Sequence, residues 1–218
     1  MKQYDAYLFD WDGTIARTLE MWLEVMRTIF TQFGKADITD DEIVQSFGNV
    51  KQKAFEYGIR TEDFEDFDRL LGDLSHAKVP YAAVYDGALD VLETLRNQRK
   101  KLALITTDWR RNVNVKLAHN NLNSSFDVVI TGDEVSTHKP SPEGINRALA
   151  ELGVHHEKAV MIGDSPHDVG AAKNAGIDSI LFYPPSHELF YKLSTFDGDR
   201  PTYIVSDLRD IVAMEVEV

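Results

Sequence analysis

Tyr7-Leu8-Phe9-Asp10-Trp11-Asp12-Gly13-Thr14 is an apolar run that empties into two carboxylates one residue apart, then into Gly and Thr. A short continuous apolar run suits a strand buried on both faces of a parallel sheet. Side chains at i and i+2 of an extended segment point the same way. If that geometry continues past the strand end, Asp10 and Asp12 converge on one spot. Two unit charges about 4 Å apart interact by roughly 4 kcal/mol at an effective dielectric near 20. A metal, a bound anion with its cation, or a shared proton would offset such repulsion. On these residues alone the alternative is a strand-to-helix turn in which Asp12 caps a helix and Gly13 supplies the bend.

Downstream of residue 84 the chain alternates short apolar runs with helical patterns. The sequence predicts strands at 4–10, Leu102–Thr106, Val128–Ile130, Ala159–Ile162, Ser179–Phe182 and Tyr203–Val205. Helical segments are expected near 87–98, 109–119, 142–152, 167–175 and 207–213. Repeated β-α units of this kind give an α/β fold, a Rossmann-like parallel sheet with helices on both faces. Ser141-Pro142 opens one helix with a cap and a first-turn Pro, Gly153 closes that helix after Leu152, and Gly176 closes another after Ala175.

Residues 16–83 interrupt the rhythm. Trp22, Val25, Met26, Ile29, Phe30 and Phe33 fall at helical spacing, as do Phe64, Phe67, Leu70, Leu71 and Leu74. The expected organisation is therefore an α/β core from residues 1–15 and 84–218, with an all-helical domain inserted at 16–83. Its aromatic stripes read as a core of their own. Residues 183–201, rich in aromatic and Pro residues, form an irregular stretch: a loop beside the site, an oligomer contact or plain surface.

Composition narrows the function. Of 218 residues, 36 are acidic and 23 basic, a net charge of −13. That excess argues against nucleic acid or an anionic membrane as partner. An anionic substrate would need local cations or a metal to reverse the field. The chain has no Cys, which removes disulfides, thiol catalysis and zinc-thiolate sites. The first residues carry no signal-peptide apolar region and no run reaches membrane-spanning length, so a cytoplasmic location is expected.

In an open parallel sheet, ligands sit beyond the carboxyl ends of the strands. The residues following each predicted strand are Asp10 and Asp12; Thr106-Thr107-Asp108; a loop ending His138-Lys139-Pro140-Ser141-Pro142; and Gly163-Asp164-Ser165-Pro166-His167-Asp168. Singly each has a plain structural role, Asp108 and Asp168 as helix-capping acids and Lys139 as a solvated turn residue. Together they gather carboxylates, a hydroxyl and one ammonium at a single sheet edge. An oxygen-only donor set, without Cys and without His at ligand spacing, suits Mg²⁺. His155, His156 and His167 read as bystanders.

This pattern resembles the haloacid dehalogenase superfamily over nearly the whole chain. Asp10-Trp11-Asp12-Gly13-Thr14 is similar to its DxDGT signature, Thr106 to its second-strand Ser/Thr, Lys139 to its motif lysine, and Gly163-Asp164 with Asp168 to its GDxxxD motif. The inserted helices resemble a C1 cap, and the Lys-Pro-Ser-Pro-Glu and Gly-Asp-Ser runs resemble phosphoglycolate-phosphatase-like members. The resemblance implies a Mg²⁺-dependent phosphatase of a small phosphorylated metabolite. Asp10 would be the nucleophile that forms an aspartyl-phosphate, and Asp12 the proton donor and then the base. Asp10, the Asp12 backbone carbonyl and Asp164 would hold the metal. Thr106 and Lys139 would hold the phosphoryl group, and Asp168 would order the metal surroundings or Lys139. The cap would set specificity and gate water. A phosphomutase of the β-phosphoglucomutase type and a pyrophosphatase use the same machinery. The mutase type often carries Glu where Gly163 stands.

The chain departs from the pattern at Arg17, a cation at the expected hinge that either reads an acidic part of the substrate or pairs with a carboxylate such as Glu20 or Glu24. Thr107 stands where relatives often carry Asn and counts with Arg17 among the substrate-binding candidates. Lys51 and Lys53, beyond Phe47-Gly48-Asn49, read as surface lysines or as contacts to an anionic substrate tail.

Overall fold

Residues 2–47, 49–196 and 198–216 are described by a computed structural model. Six parallel strands form one sheet: β1 (Ala6–Phe9), β2 (Lys101–Ile105), β3 (Val128–Ile130), β4 (Ala159–Gly163), β5 (Asp178–Phe182) and β6 (Tyr203–Val205), in the order β3-β2-β1-β4-β5-β6. Every residue of β1 and β4 is buried, which is why both read as unbroken apolar runs. β1 pairs with β2 on one side and β4 on the other, Phe9 facing Leu104 and Ile162. The connections turn opposite ways on the two sides of β1, so a crevice opens beyond the carboxyl ends of β1 and β4.

Helices cover the sheet, and the predicted ones stand within a few residues of their expected places. After the insertion's α1 (Thr18–Gln32), α2 (Asp40–Gln45), α3 (Val50–Glu56) and α4 (Phe64–Lys78) come α5 (Ala88–Asn97), α6 (Arg110–His119), α7 (Glu143–Leu152), α8 (Pro166–Ala175) and α9 (Asp210–Val216). Beneath α7 and α8, Leu8, Ala103, Ile105, Ile145, Leu149, Met161 and Ala172 share one buried core. Gly153 and Gly176 close α7 and α8 at φ +67° and +70°.

The chain divides into two compact units, residues 1–17 with 83–218, and residues 18–82. Arg17 N donates to Ala83 O at 2.8 Å, fastening the two ends of the first unit where the insertion leaves and returns. The second unit holds α1 to α4. Phe30, Phe33 and Phe64 pack around the fully buried Phe67, ring centroids 5.5–6.3 Å apart. The aromatic stripes are thus this unit's core. Lys51 pairs with Asp68 at 2.6 Å and Lys53 with Glu56 at 2.7 Å, and Lys78 takes Glu24 at 2.6 Å. Gly48 lies outside the described residues.

The stretch after β5 forms two 3-10 turns, Pro185–Leu189 and Leu193–Phe196. His187 is fully buried, its Nε2 2.8 Å from the Tyr85 hydroxyl and its ring edge-on to Phe182. Tyr191 and Phe196 pack against Val169 and Leu181. Among the described residues no helix is long and apolar enough to cross a membrane.

Candidate active site

The loop after β1 is drawn tight by one carbonyl. Trp11 O accepts from Thr14 N, Ile15 N and Ala16 N at 3.0–3.3 Å, and the Trp11 side chain is buried between the two aspartates in sequence. The turn requires φ +82° at Gly13, and a Cβ there would stand 2.4 Å from Asp164 Oδ2. Glycine is therefore fixed twice at this position, by backbone conformation and by the close approach of Asp164.

Past this turn the two carboxylates take different partners. Asp10 stays at the strand end, its N–H still pairing with Ile162 O at 2.9 Å. Lys139 Nζ lies 2.5 Å from Asp10 Oδ1 and 2.6 Å from Asp168 Oδ1, and donates to Ile105 O at 3.1 Å. The expected contest between Asp10 and Asp12 is relieved because each carboxylate has its own lysine. Asp12 turns instead to Lys116 on α6, whose Nζ is 2.8 and 3.1 Å from its two oxygens.

Around Lys139, Asp168 does two jobs at once. Its Oδ1 holds the lysine, while its Oδ2 accepts from Ser165 Oγ at 2.6 Å and Ser165 N at 3.2 Å, closing a capping box at the start of α8. Asp164 stands beside them, 2% exposed. Thr14 Oγ1 donates to its Oδ1 at 3.4 Å, and its Oδ2 has no hydrogen-bond partner. Burial pushes the Asp10 carboxyl up from 3.8 to about 7; Lys139 pulls it down, and Asp168 and Asp12 push it up. Burial, with Asp168 and Asp10 adding to it, holds Asp164 well above the usual carboxylate range. Burial disfavours the Lys139 ammonium, but Asp10 and Asp168 outweigh it and keep the lysine charged.

These directions have one cause. Three buried carboxylates, Asp10, Asp164 and Asp168, offer oxygens within 4.8 Å of one another around a single ammonium. With all three ionised they exceed the ammonium by two negative charges, and without a cation the raised Asp10 and Asp164 hold protons instead. A buried acceptor without a partner is rare in folded proteins and asks for a ligand. A divalent cation satisfies both the surplus charge and the unpaired Asp164 oxygen, and the all-oxygen donors suit a hard ion. The side chain of Asp12 is occupied by Lys116, so any share of Asp12 in such a site falls to its backbone carbonyl.

The second lysine was not among the expected site residues. Lys116 is 4% exposed, and Asp108 Oδ2 approaches its Nζ at 2.9 Å from the other side. Asp108 is itself fixed, its Oδ1 accepting from Trp109 N at 2.7 Å and Asn112 Nδ2 at 2.8 Å. Burial disfavours the Lys116 ammonium, and Asp12 and Asp108 together outweigh that and raise it. A signal existed in the sequence: Lys116 sits between Val113 and Leu117, on the buried face of α6. A charge placed there needs buried partners.

The remaining expected residues divide. Thr106 is buried at the end of β2, and its Oγ1 accepts from Asp108 N at 3.1 Å. Thr107 is exposed, and its carbonyl lies so close to Gly132 that a Cβ there would meet it at 2.1 Å. Arg17 lies over the Tyr85 ring, 4.6 Å from its centroid, with Asp86 at 3.9 Å. His155, His156 and His167 are exposed. Tyr191 is an unexpected neighbour: burial raises its phenol, and Asp164, Asp168 and Asp10 add to the shift.

The sequence pattern of the family described as haloacid dehalogenase-like hydrolase matches residues 7–182. Pyrophosphatase PpaX of Anoxybacillus flavithermus is 32% identical over 213 residues, 96% of this chain and 97% of that protein. A solved structure from Thermotoga maritima, described as a candidate beta-phosphoglucomutase, aligns with a TM-score of 0.80 at 26% identity, covering 98% of this chain and 99% of that one. A Lactobacillus plantarum structure, described as a candidate phosphoglycolate phosphatase, has a TM-score of 0.72 at 23% identity over 98% of this chain and 100% of that one. The last likeness establishes the common fold.

Proposed function

The chain belongs to the haloacid dehalogenase-like hydrolases, and from that premise we propose that it is a Mg²⁺-dependent phosphatase of a small phosphorylated metabolite, working through an aspartyl-phosphate on Asp10. The observation that carries this reading is Lys139 held between Asp10 and Asp168 beside the unpaired Asp164 oxygen. A nucleophilic carboxylate, a fixed ammonium and further carboxylate oxygens able to hold a divalent cation are what in-line phosphoryl transfer needs from a protein.

In this reading Asp10 attacks phosphorus and the ester oxygen leaves. Lys139 holds the Asp10 carboxylate and stabilises charge on the phosphoryl oxygens, and Thr106 donates to one of them. Asp12, having taken up a proton from solvent before the first step, gives it to the leaving oxygen and recovers one from the water that attacks the phosphoryl group on Asp10. Asp10, Asp164 and the Asp12 carbonyl hold the Mg²⁺, which when bound neutralises the meeting of two anions. Asp168 keeps Lys139 in place. The helical unit of residues 18–82 serves as the cap that selects the substrate, with Arg17 and Thr107 as further specificity positions. A cytoplasmic enzyme fits a substrate of this class.

Pyrophosphate hydrolysis is the second reading, favoured by the PpaX relative. Against the mutase alternative stands Gly163, where a Cβ would lie 2.3 Å from Asp168 Cβ. A Glu at that position has no room while Asp168 holds Lys139.

The test is a phosphate-release screen of purified protein over phosphorylated metabolites and pyrophosphate, with and without Mg²⁺, with Asp10→Asn as control. Mg²⁺-dependent release by the wild type alone is expected. No release from any compound, or equal release by Asp10→Asn, contradicts the proposal.

A further inference from the structure

Lys116 is a costly residue to place where it is. Its side chain is 4% exposed, beneath a loop whose neighbouring carboxylates, Asp12 and Asp108, remain 34% and 20% exposed. Withdrawing an ammonium from water costs several kcal/mol unless its geometry is well satisfied. Here it is: an ammonium has three N–H donors, and three carboxylate oxygens surround it at 2.8, 3.1 and 2.9 Å. Both oxygens of Asp12 face the same cation, which fixes the plane of that carboxylate as well as its position.

The bracing continues outward. Asp108 Oδ2 takes Lys116 while Oδ1 accepts from Trp109 N and Asn112 Nδ2, so the acid is held from three directions. Asp108 N in turn donates to Thr106 Oγ1 at 3.1 Å. A chain of contacts therefore runs from the start of α6 through Asp108 and Lys116 to Asp12. A contact made only to fasten the β1 loop to α6 has no need of a bidentate grip on one aspartate, nor of a second aspartate that is itself locked.

We infer that Lys116, braced by Asp108, is a positioning residue that fixes the Asp12 carboxylate for its part in phosphoryl transfer. The inference rests on the reading of Asp12 as the residue that exchanges protons with the leaving oxygen and the attacking water. Lys116 acts through Asp12 and does not touch substrate. A misplacement of about 1 Å in a reacting group costs on the order of 10²-fold in rate, and that sets the scale of the effect.

The experiment is a double-mutant cycle on the full chain with Mg²⁺, following radiolabelled phosphate release from an alkyl phosphate and from 4-nitrophenyl phosphate. Lys116→Met is expected to lower kcat for the alkyl ester by roughly 30- to 100-fold, with KM within about twofold. The aryl ester, whose leaving group needs little protonation, loses less. In an Asp12→Asn background Lys116→Met adds no further loss, because residues acting as a unit are non-additive. Asp108→Asn, which keeps the lysine and its grip on Asp12, gives a smaller loss of the same kind and carries the cycle by itself if Lys116→Met does not fold. Additive losses in the Asp12→Asn background, or equal losses for both esters, overturn the inference while leaving the phosphatase reading intact. A wild type that cleaves neither these esters nor any compound of the metabolite screen overturns both.

Discussion

Two lysines are buried at the carboxyl edge of the sheet, each gripped by two aspartates, and their surroundings differ by one carboxylate. Lys139 lies between Asp10 and Asp168 with Asp164 beside them, its Oδ2 unpaired. Lys116 lies between Asp12 and Asp108, and each of its N–H donors has an acceptor. The first cluster carries surplus negative charge and an open oxygen, so it is built to take a cation. The second is closed, and its uncompensated charge is spread over aspartates in partial contact with water. On the proposed reading, one lysine belongs to the charge of the reaction and the other to the placement of a proton-carrying group.

Removing the nucleophile breaks the first cluster most completely. Asp10→Asn is expected to lower phosphate release by at least about 10⁴-fold, measured with Mg²⁺ on the best substrate of the screen. Retained activity would move the nucleophile elsewhere. Next comes Lys139→Met, expected to cost about 10²- to 10³-fold in kcat and to destabilise the fold, since breaking a buried pair costs about 3–5 kcal/mol. Thermal unfolding and kinetics together check it, and a loss of stability without loss of rate would make Lys139 purely structural. The Lys116→Met variant should fall below Lys139→Met in both readings, because its partners keep contact with water. Reversal of that order would erase the contrast between the clusters.

The smallest expected effect is a pH dependence of stability in metal-free protein. Asp10 is raised in the fold from 3.8 to about 7, so between those values the folded chain keeps a proton that the unfolded chain has released. Stability therefore falls as pH rises from about 4 to about 7, with Asp164 acting in the same direction. Thermal unfolding in chelator should show that slope, and Asp10→Asn should flatten it. Added Mg²⁺ should stabilise the wild type more at pH 7.5 than at pH 5. An unchanged slope in Asp10→Asn would remove Asp10 from the charged cluster.

The fold was legible where sequence pattern and burial coincide. All six strands stand at or within about two residues of their expected positions, because strands buried on both faces leave unbroken apolar runs and their loops leave Gly, Pro and Asp. Lys139, Asp164 and Asp168 were legible as a group because each follows a strand. Three features were not. The turn that follows Asp10, in which Trp11 O gathers three N–H groups, and the turning of Asp12 to Lys116 are not foreseen by two-residue periodicity. Lys116 lies ten residues past Thr106 on a helix, away from any strand end, and only its place between Val113 and Leu117 marks it. His187, in the irregular stretch after β5, meets Tyr85 about a hundred positions away, a pairing that no local signal carries. In the helical unit, α2 and α3 span six and seven residues, too short for their periodicity to stand out.

The central claim is that a phosphoryl group passes through Asp10. Rapid-quench mass spectrometry of the Mg²⁺-loaded enzyme, mixed with the best substrate of the screen, tests it directly. The account predicts a transient phosphoryl group on the peptide containing Asp10, formed and lost at rates that bracket turnover and lengthened in Asp12→Asn. Full turnover with the Asp10 peptide unmodified at every time point, or phosphoryl label on another residue, would contradict it.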